Sequence, residues 1–334
     1  MKAAIAILLS MIIGTPALAS AFVYVSNADD GEIGTYTLQP DGSLKPGERV
    51  KAEKIVMPMA VTPDKRFLIA AVRSKPYRAY SYNIDRGSGE LKLVGTGSLA
   101  ESFPYISLDR SGRFLFGASY GANLISVNPV GADGRIGEPL QVVPTARNAH
   151  SIRVDNSNRF VFIPHLGTDQ VFQFLLDEKS GRLTANTPPV LQLKQGTGPR
   201  HLIVSQDNRF IYVLNELTGT VTTLALDPST GLLREIDSVS VLPPETKLVP
   251  GMPRKWLSDS WARHRPQREE TPGTREHIRA SPMPGLWTIA GRRVPYGKQR
   301  RATPAPRCSA GKKCRRNSAR QTWRREGSAA ARPQ

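Results

Sequence analysis

The first 254 residues of this 334-residue chain contain no cysteine and no tryptophan, and the last 80 contain no phenylalanine. Both cysteines, Cys308 and Cys314, and all four tryptophans, Trp256, Trp261, Trp287 and Trp323, follow Lys255 or come after it. The first part therefore has no disulfide framework and no thiol chemistry. It lacks H-x-x-x-H or a comparable ligand spacing, so no metal is expected. No Gly-x-Ser-x-Gly, P-loop or dinucleotide fingerprint occurs there, and no cofactor is implied. No amphipathic helical pattern of useful length is present. Acidic residues are scarce only at the end. From Lys255 to Gln334 there are 20 Lys and Arg against 5 Asp and Glu, whereas the residues before carry 26 against 23. The net charge of +18 thus belongs mainly to the tail, and nothing in the body asks for a nucleic-acid partner.

Met1-Lys2 opens the chain, an apolar run from Ala3 to Ile13 follows, and Gly14-Thr15-Pro16 ends it. The run is too short for a membrane span of about 20 residues. Ala17-Leu18-Ala19 fits the small-x-small pattern of a cleavage site, so residues 1–21 read as a secretory signal. The body is then expected outside the cytoplasm, periplasmic or extracellular, with no membrane span after cleavage. The absence of a cysteine after the cleavage region argues against a lipid anchor.

What the body does have is repetition. Apolar strands begin at Phe22, Phe67, Phe114, Phe160 and Phe210, which are 45, 47, 46 and 50 residues apart. Arg66, Arg113, Arg159 and Arg209 precede the last four, each after a turn such as Pro63-Asp64 or Asp155-Asn156-Ser157-Asn158. A second landmark keeps the same period: Gly42-Ser43-Leu44, Gly89-Glu90-Leu91, Gly134-Arg135-Ile136, Gly181-Arg182-Leu183 and Gly231-Leu232-Leu233. Gly reaches positive φ, and Asp or Asn caps tight turns, so these are hairpin signals. Each period holds four short runs rich in Val, Ile, Phe, Tyr and Thr. The pattern predicts an all-β chain, a β-propeller of four-stranded blades with about five blades over residues 22–250. The chain enters at the second strand of a blade, Phe22 to Asn27, without a first strand ahead of it. The Arg of the Arg-Phe turns recur in blade after blade and are expected to be architectural.

The body resembles the lactonase family of seven-bladed propellers, to which 6-phosphogluconolactonases and the fungal carboxymuconate cycloisomerases belong. One block of the likeness is Asn148-Ala149-His150-Ser151 with Phe160 through Asp169. The other is Gly198-Pro199-Arg200-His201-Leu202 through Tyr212-Val213-Leu214-Asn215-Glu216-Leu217. The resemblance implies opening or closing of a lactone ring and makes His150, Arg200 and Glu216 the catalytic candidates. His201 and Asn215, their chain neighbours, are the substrate-binding candidates, and the partner implied is a small-molecule lactone.

The repeat register supports the grouping independently. His150 lies nine residues before Arg159, and Arg200 nine before Arg209, so both open the innermost strand of successive blades. Glu216 follows the second strand of its blade, and antiparallel neighbours bring that end to the same rim. The three side chains should face one mouth of the channel, while His201 should point away by strand alternation. Hydrolysis needs a base for water and donors for the carbonyl oxygen. Glu216 or His150 fits the first role, and Arg200 fits the second or anchors an anionic group. The expected function is an exported lactonase acting on a sugar lactone. The rivals are a non-enzymatic propeller that binds a protein or glycan, and a carboxymuconate-type cycloisomerase.

After Arg254 the repeat stops. The spacing calls for Arg-Phe strands at about residues 257 and 305, and neither exists. Residues 251–334 carry many Arg, Pro and Gly and read as a disordered basic tail. Cys308 and Cys314 form a C-x5-C spacing without partners. The composition fits an out-of-frame stretch of a GC-rich gene, which reading the other two frames after codon 254 tests. In a seven-bladed family, such a frame change removes two blades and the closing strand. The open edges then favour aggregation, and a poorly stable, weakly active product is expected.

Overall fold

The computed structural model describes residues 21–243; the signal and the tail read from the sequence lie outside the described residues. Five antiparallel sheets follow one another along the chain, and no helix occurs among the described residues. The first has three strands, β1 (Ala21–Asn27), β2 (Glu32–Leu38) and β3 (Leu44–Lys51). The second is β4 (Val56–Val61), β5 (Phe67–Val72), β6 (Arg78–Ile84) and β7 (Leu91–Ser98). The third is β8 (Tyr105–Leu108), β9 (Phe114–Ser119), β10 (Leu124–Pro129) and β11 (Gln141–Pro144). The fourth is β12 (Arg153–Val154), β13 (Phe160–His165), β14 (Gln170–Leu176) and β15 (Leu183–Gln192). The fifth is β16 (Pro199–Val204), β17 (Phe210–Asn215), β18 (Thr220–Leu226) and β19 (Leu233–Ser240). Strand order within each sheet follows the chain, as in propeller blades. The first blade begins at its second strand, as the sequence indicates.

The second strands explain the apolar runs. Every residue of β5, β9 and β13 is buried, because a blade lies against each face. In β17 burial alternates with partial exposure, since only the fourth blade covers it among the described residues. The core accordingly divides into four clusters, one for each pair of successive blades. Burial of this kind contributes about 25 cal/mol per Å² of apolar surface.

The two repeated landmarks meet at these interfaces. The turn glycines Gly89, Gly134, Gly181 and Gly231 sit on the Phe rings of the preceding blades, Phe22, Phe67, Phe114 and Phe160. At Gly181 (φ +75°) a Cβ would lie 2.4 Å from the Phe114 ring, so no side chain fits there. Positive φ and close approach are thus required of the same residue. The Arg of the Arg-Phe pair lies over its own Phe ring, 4.9 Å from the centroid for Arg159 and 5.5 Å for Arg113. Arg113 and Arg159 then reach the turn of the next blade, donating to the Glu178 and Pro228 carbonyls. These arginines are architecture, as expected.

A polar interlock holds the turns on the other rim. Asn158 (φ 63°) donates to Asp109 Oδ2 at 3.2 Å and accepts from the Arg110 N–H at 2.7 Å. Asn208 (φ 59°) repeats this one blade on, with Asp155 Oδ2 at 2.7 Å and the Asn156 N–H at 2.8 Å. Asp109 is buried and keeps the Ser111 N–H and Oγ on Oδ2, but losing the Asn158 side chain removes its cross-blade donor and the acceptor of the Arg110 N–H together. Asn158→Ala is expected to cost about 2 kcal/mol, which lowers the thermal midpoint by roughly 4–8 °C in a domain of this size. Melting followed by circular dichroism checks this, and an unchanged midpoint would show that the interlock adds nothing.

Candidate active site

One backbone device shapes the opposite rim. Ile55, Asn148 and Gly198 precede the inner strands of three blades and all have positive φ, near 61–63°. Their carbonyls accept the N–H of Arg73, Leu166 and Glu216 at 3.1, 3.0 and 2.8 Å. Each donor lies six residues after the Phe of its blade, at the end of the second strand. Tyr120, six after Phe114, occupies the corresponding place in the third blade. The rim position that carries Glu216 therefore carries Arg73, Tyr120 and Leu166 elsewhere.

Asp169 sets the loop that leads into Arg200. Its two carboxylate oxygens accept from the Gly196 and Gly198 N–H, both at 2.8 Å. Ser151 Oγ donates to the Arg200 carbonyl at 2.9 Å and ties the fourth blade to the fifth. Asp169 lies inside a block that carries the family likeness, but nothing in that block marks it as a loop anchor rather than a ligand.

Arg200, Glu216 and His150 come together. Arg200 Nε donates to His150 Nε2 at 2.9 Å and forms an ion pair with Glu216, Nε to Oε2 at 2.8 Å. The Glu216 side chain is 9% exposed and that of Arg200 27%, so the pair sits in a wall of the mouth and still reaches solvent. His150 is buried, and its ring packs edge-on to Tyr120, centroids 5.8 Å apart. Burial, then the positive charge of Arg200, the neighbouring His201 and the charge of Arg73, push the His150 pKa down to about 2. The ring is neutral. Because Nε2 accepts from Arg200, the ring proton is on Nδ1, and that buried N–H meets no partner among the described residues.

His201 corrects the alternation argument. Its ring lies 4.9 Å from that of His150 and 5.4 Å from that of Tyr105, so it joins the channel instead of turning away. The cause is a bulge. The pairing of β16 with β17 shifts between Pro199 and His201, and Arg200 is the extra residue. A bulge breaks the two-residue period, so consecutive side chains can reach the same side. Burial, with Arg200 and Arg153 nearby, lowers the His201 pKa to about 4. Arg153 Nε donates to the Tyr105 hydroxyl at 2.8 Å.

Asn215 is a second correction. It is fully buried, and its amide nitrogen donates to the Thr220 and Thr222 hydroxyls at 2.9 and 2.8 Å. It pins β17 to β18 and has no place in the His150 cluster. As the last residue of β17 it faces its own blade, and only the next residue, Glu216, turns to the rim. His165 is held within its own blade: Nδ1 meets the Ile163 carbonyl at 3.0 Å and the ring packs on Phe172. Among the described residues no group of three or more His, Cys, Asp or Glu could hold a metal ion. Among them, too, no helix is long and apolar enough to cross a membrane.

Sequence reasoning missed Arg73. The signal was the register that places Glu216, six residues after the Phe, applied to the other blades.

Comparison with known proteins agrees with this architecture. The family described as "Lactonase, 7-bladed beta-propeller" matches residues 19–252. The 6-phosphogluconolactonase of Erwinia tasmaniensis is 38% identical over 221 residues, which span 66% of this chain and 66% of that protein. The 6-phosphogluconolactonase of Klebsiella pneumoniae subsp. pneumoniae is 32% identical over 237 residues, 71% of this chain and 69% of the relative. The chain thus spans about two thirds of the length of the curated relatives it matches. The periplasmic gluconolactonase of Pseudomonas aeruginosa superposes with a TM-score of 0.62 at 29% identity, covering 68% of this chain and 70% of that one. With the family match over residues 19–252 and the blade architecture in agreement, this chain belongs to the seven-bladed β-propeller lactonase family.

Proposed function

We propose that this chain hydrolyses a sugar lactone at the mouth formed by Arg200, Glu216 and His150. The observation that carries the reading is the single Arg200 Nε shared between a carboxylate and a neutral imidazole. The curated relatives named above are 6-phosphogluconolactonases, and the solved neighbour is a gluconolactonase.

The chemistry follows from what each group can do. Glu216, as a carboxylate, takes a proton from the attacking water. The water oxygen adds to the ring carbonyl, and the electron pair moves to the carbonyl oxygen. The remaining guanidinium N–H donors of Arg200 are the groups that can receive that charge, and His150 Nε2 holds the guanidinium in place. Collapse breaks the ring C–O bond, and the proton on Glu216 goes to the departing hydroxyl. The product is an open-chain acid that ionises at neutral pH. His150 serves as the acceptor that positions Arg200 and not as the base, because Nε2 is occupied and the ring resists protonation.

The same reading takes residues 1–21 as an export signal, 22–250 as the propeller and 251–334 as a segment outside it. That the Pseudomonas neighbour is a periplasmic gluconolactonase supports export. If the tail is out of frame, turnover is low but the cluster is unchanged. Acid release in a pH-stat, with glucono-1,5-lactone and 6-phosphogluconolactone, is the direct test. Hydrolysis faster than the spontaneous rate is expected on at least one. No acceleration on either overturns the reading and favours a binding role for the channel face.

A further inference from the structure

Arg73 is a rim cation that the mechanism above leaves unused. It occupies in the second blade the place that Glu216 holds in the fifth, fixed by its N–H on the Ile55 carbonyl at 3.1 Å. The side chain is half-buried, and Nε donates to Ser102 Oγ at 3.1 Å. Ser102 is itself held, its N–H on Glu101 and its carbonyl accepting from Ser119 Oγ at 3.0 Å. Both Nη groups of Arg73 have no hydrogen-bond partner among the described residues, and no carboxylate there lies within ion-pair distance. Arg200, by contrast, is neutralised by Glu216 at 2.8 Å. A half-buried guanidinium without a counter-charge is costly unless something anionic visits it. Its register, equivalent to that of Glu216, puts it on the same rim, and its charge adds to those that disfavour a charged His150.

We propose that Arg73, steadied by Ser102, is an anion seat on the second-blade side of the mouth, taking the phosphate or carboxylate a lactone carries away from its reacting carbonyl. The inference rests on the lactonase reading and adds to it a specificity: an anionic sugar lactone is preferred over a neutral one. The two Nη groups present a fork that suits either anion. Arg200 and Glu216 handle the carbonyl end, and Arg73 fixes the far end, so binding and chemistry are divided between blades. Because the far end does not change charge during ring opening, the contact is made equally in ground state and transition state. Its loss should therefore appear in KM.

The test compares the wild type with Arg73→Met and Arg73→Lys on three substrates. These are neutral glucono-1,5-lactone, 6-phosphogluconolactone and glucaro-1,4-lactone, the last carrying a carboxylate. Arg73→Met is expected to lower kcat/KM about 10- to 100-fold on an anionic lactone, chiefly through KM, and to leave the neutral one within about twofold. Arg73→Lys should fall between. Which anionic substrate responds tells phosphate from carboxylate. An equal loss on all three would mean a structural role, and no loss on any would overturn the seat while leaving the lactonase reading intact. Calorimetry with inorganic phosphate gives a readout apart from turnover. Phosphate binding that vanishes in Arg73→Met, in a wild type that hydrolyses no lactone, would keep the seat and overturn the lactonase reading. Phosphate bound equally by wild type and Arg73→Met would count against a phosphate seat.

Discussion

Glu216→Gln is expected to lower kcat on a hydrolysed lactone by about 100- to 10,000-fold, the usual range for a positioned general base. The substitution keeps shape and volume, and the amide oxygen can still accept from Arg200 Nε. What it loses is the negative charge and the ability to take the proton of water. KM should move only a few-fold, because the carbonyl end of the substrate still meets Arg200. A structural effect has to be separated from this. The wild-type pair is 9% and 27% exposed, so removing one charge leaves Arg200 partly shielded by solvent, and the stability cost is smaller than for a sealed ion pair. Melting temperature and kcat are therefore read together: a large fall in kcat at a nearly unchanged midpoint supports the base. The pH–rate profile gives a second check. With its folded pKa near 2, His150 cannot produce an acid limb around pH 6.5. An acid limb there that disappears in His150→Gln would show the imidazole titrating as the base and overturn the assignment to Glu216.

The fold was legible because its packing is periodic. Every blade must seat a Phe ring under the Gly turn of its successor, as Phe114 does under Gly181, so the sequence repeats both residues at one spacing. The grouping of His150 with Arg200 was legible for the same reason, since equal register means equal place around the channel. Two things broke the register argument. The bulge at Arg200 puts His201 in the channel, and no alternation pattern reports a bulge in advance. Asn215 and Glu216 are adjacent, yet one is spent on Thr220 and Thr222 while the other enters the cluster. A polar residue at a strand end can face either way, and only its hydrogen bonds decide. Arg73 was hidden differently. The position was predictable from Glu216, but blades place unlike residues there, so composition gave no repeat to notice.

Stability is expected to fall steeply as pH drops from about 6.5 toward 4, well above the range where carboxylates titrate. Three histidines carry this. His150, His165 and His201 are enclosed, and burial is the first cause that lowers each pKa, to about 2, about 4 and about 4. In the unfolded chain each titrates near 6.5. Between these values the unfolded state binds protons that the folded state refuses. Stability is thus fully present above about pH 6.5 and is lost as pH falls toward the folded values. Each histidine contributes up to about 1.4 kcal/mol per pH unit, so the three together reach about 4 kcal/mol per unit near pH 5. That is a large part of the 5–15 kcal/mol typical of a native domain. Asp155 acts in the same direction but lower. Burial opposes its ionisation, yet hydrogen bonds from Ser157, Asn208 and the Phe160 N–H hold its pKa below the usual range, so its share is lost only at more acid pH. His165 is the residue to vary, because it lies outside the catalytic cluster. Its Nδ1–H donates to the Ile163 carbonyl, and its buried Nε2 has no partner among the described residues, so protonation there would place a charge beside Phe172. His165→Asn can keep the donor to Ile163 while removing the titrating nitrogen. Denaturant midpoints at pH 7.5, 6.0 and 5.0 should show a slope reduced by about a third in the variant. A wild type whose stability is flat between pH 7.5 and 5.0 would show that these rings accept protons without cost, and would remove the basis for treating His150 as a permanently neutral acceptor for Arg200.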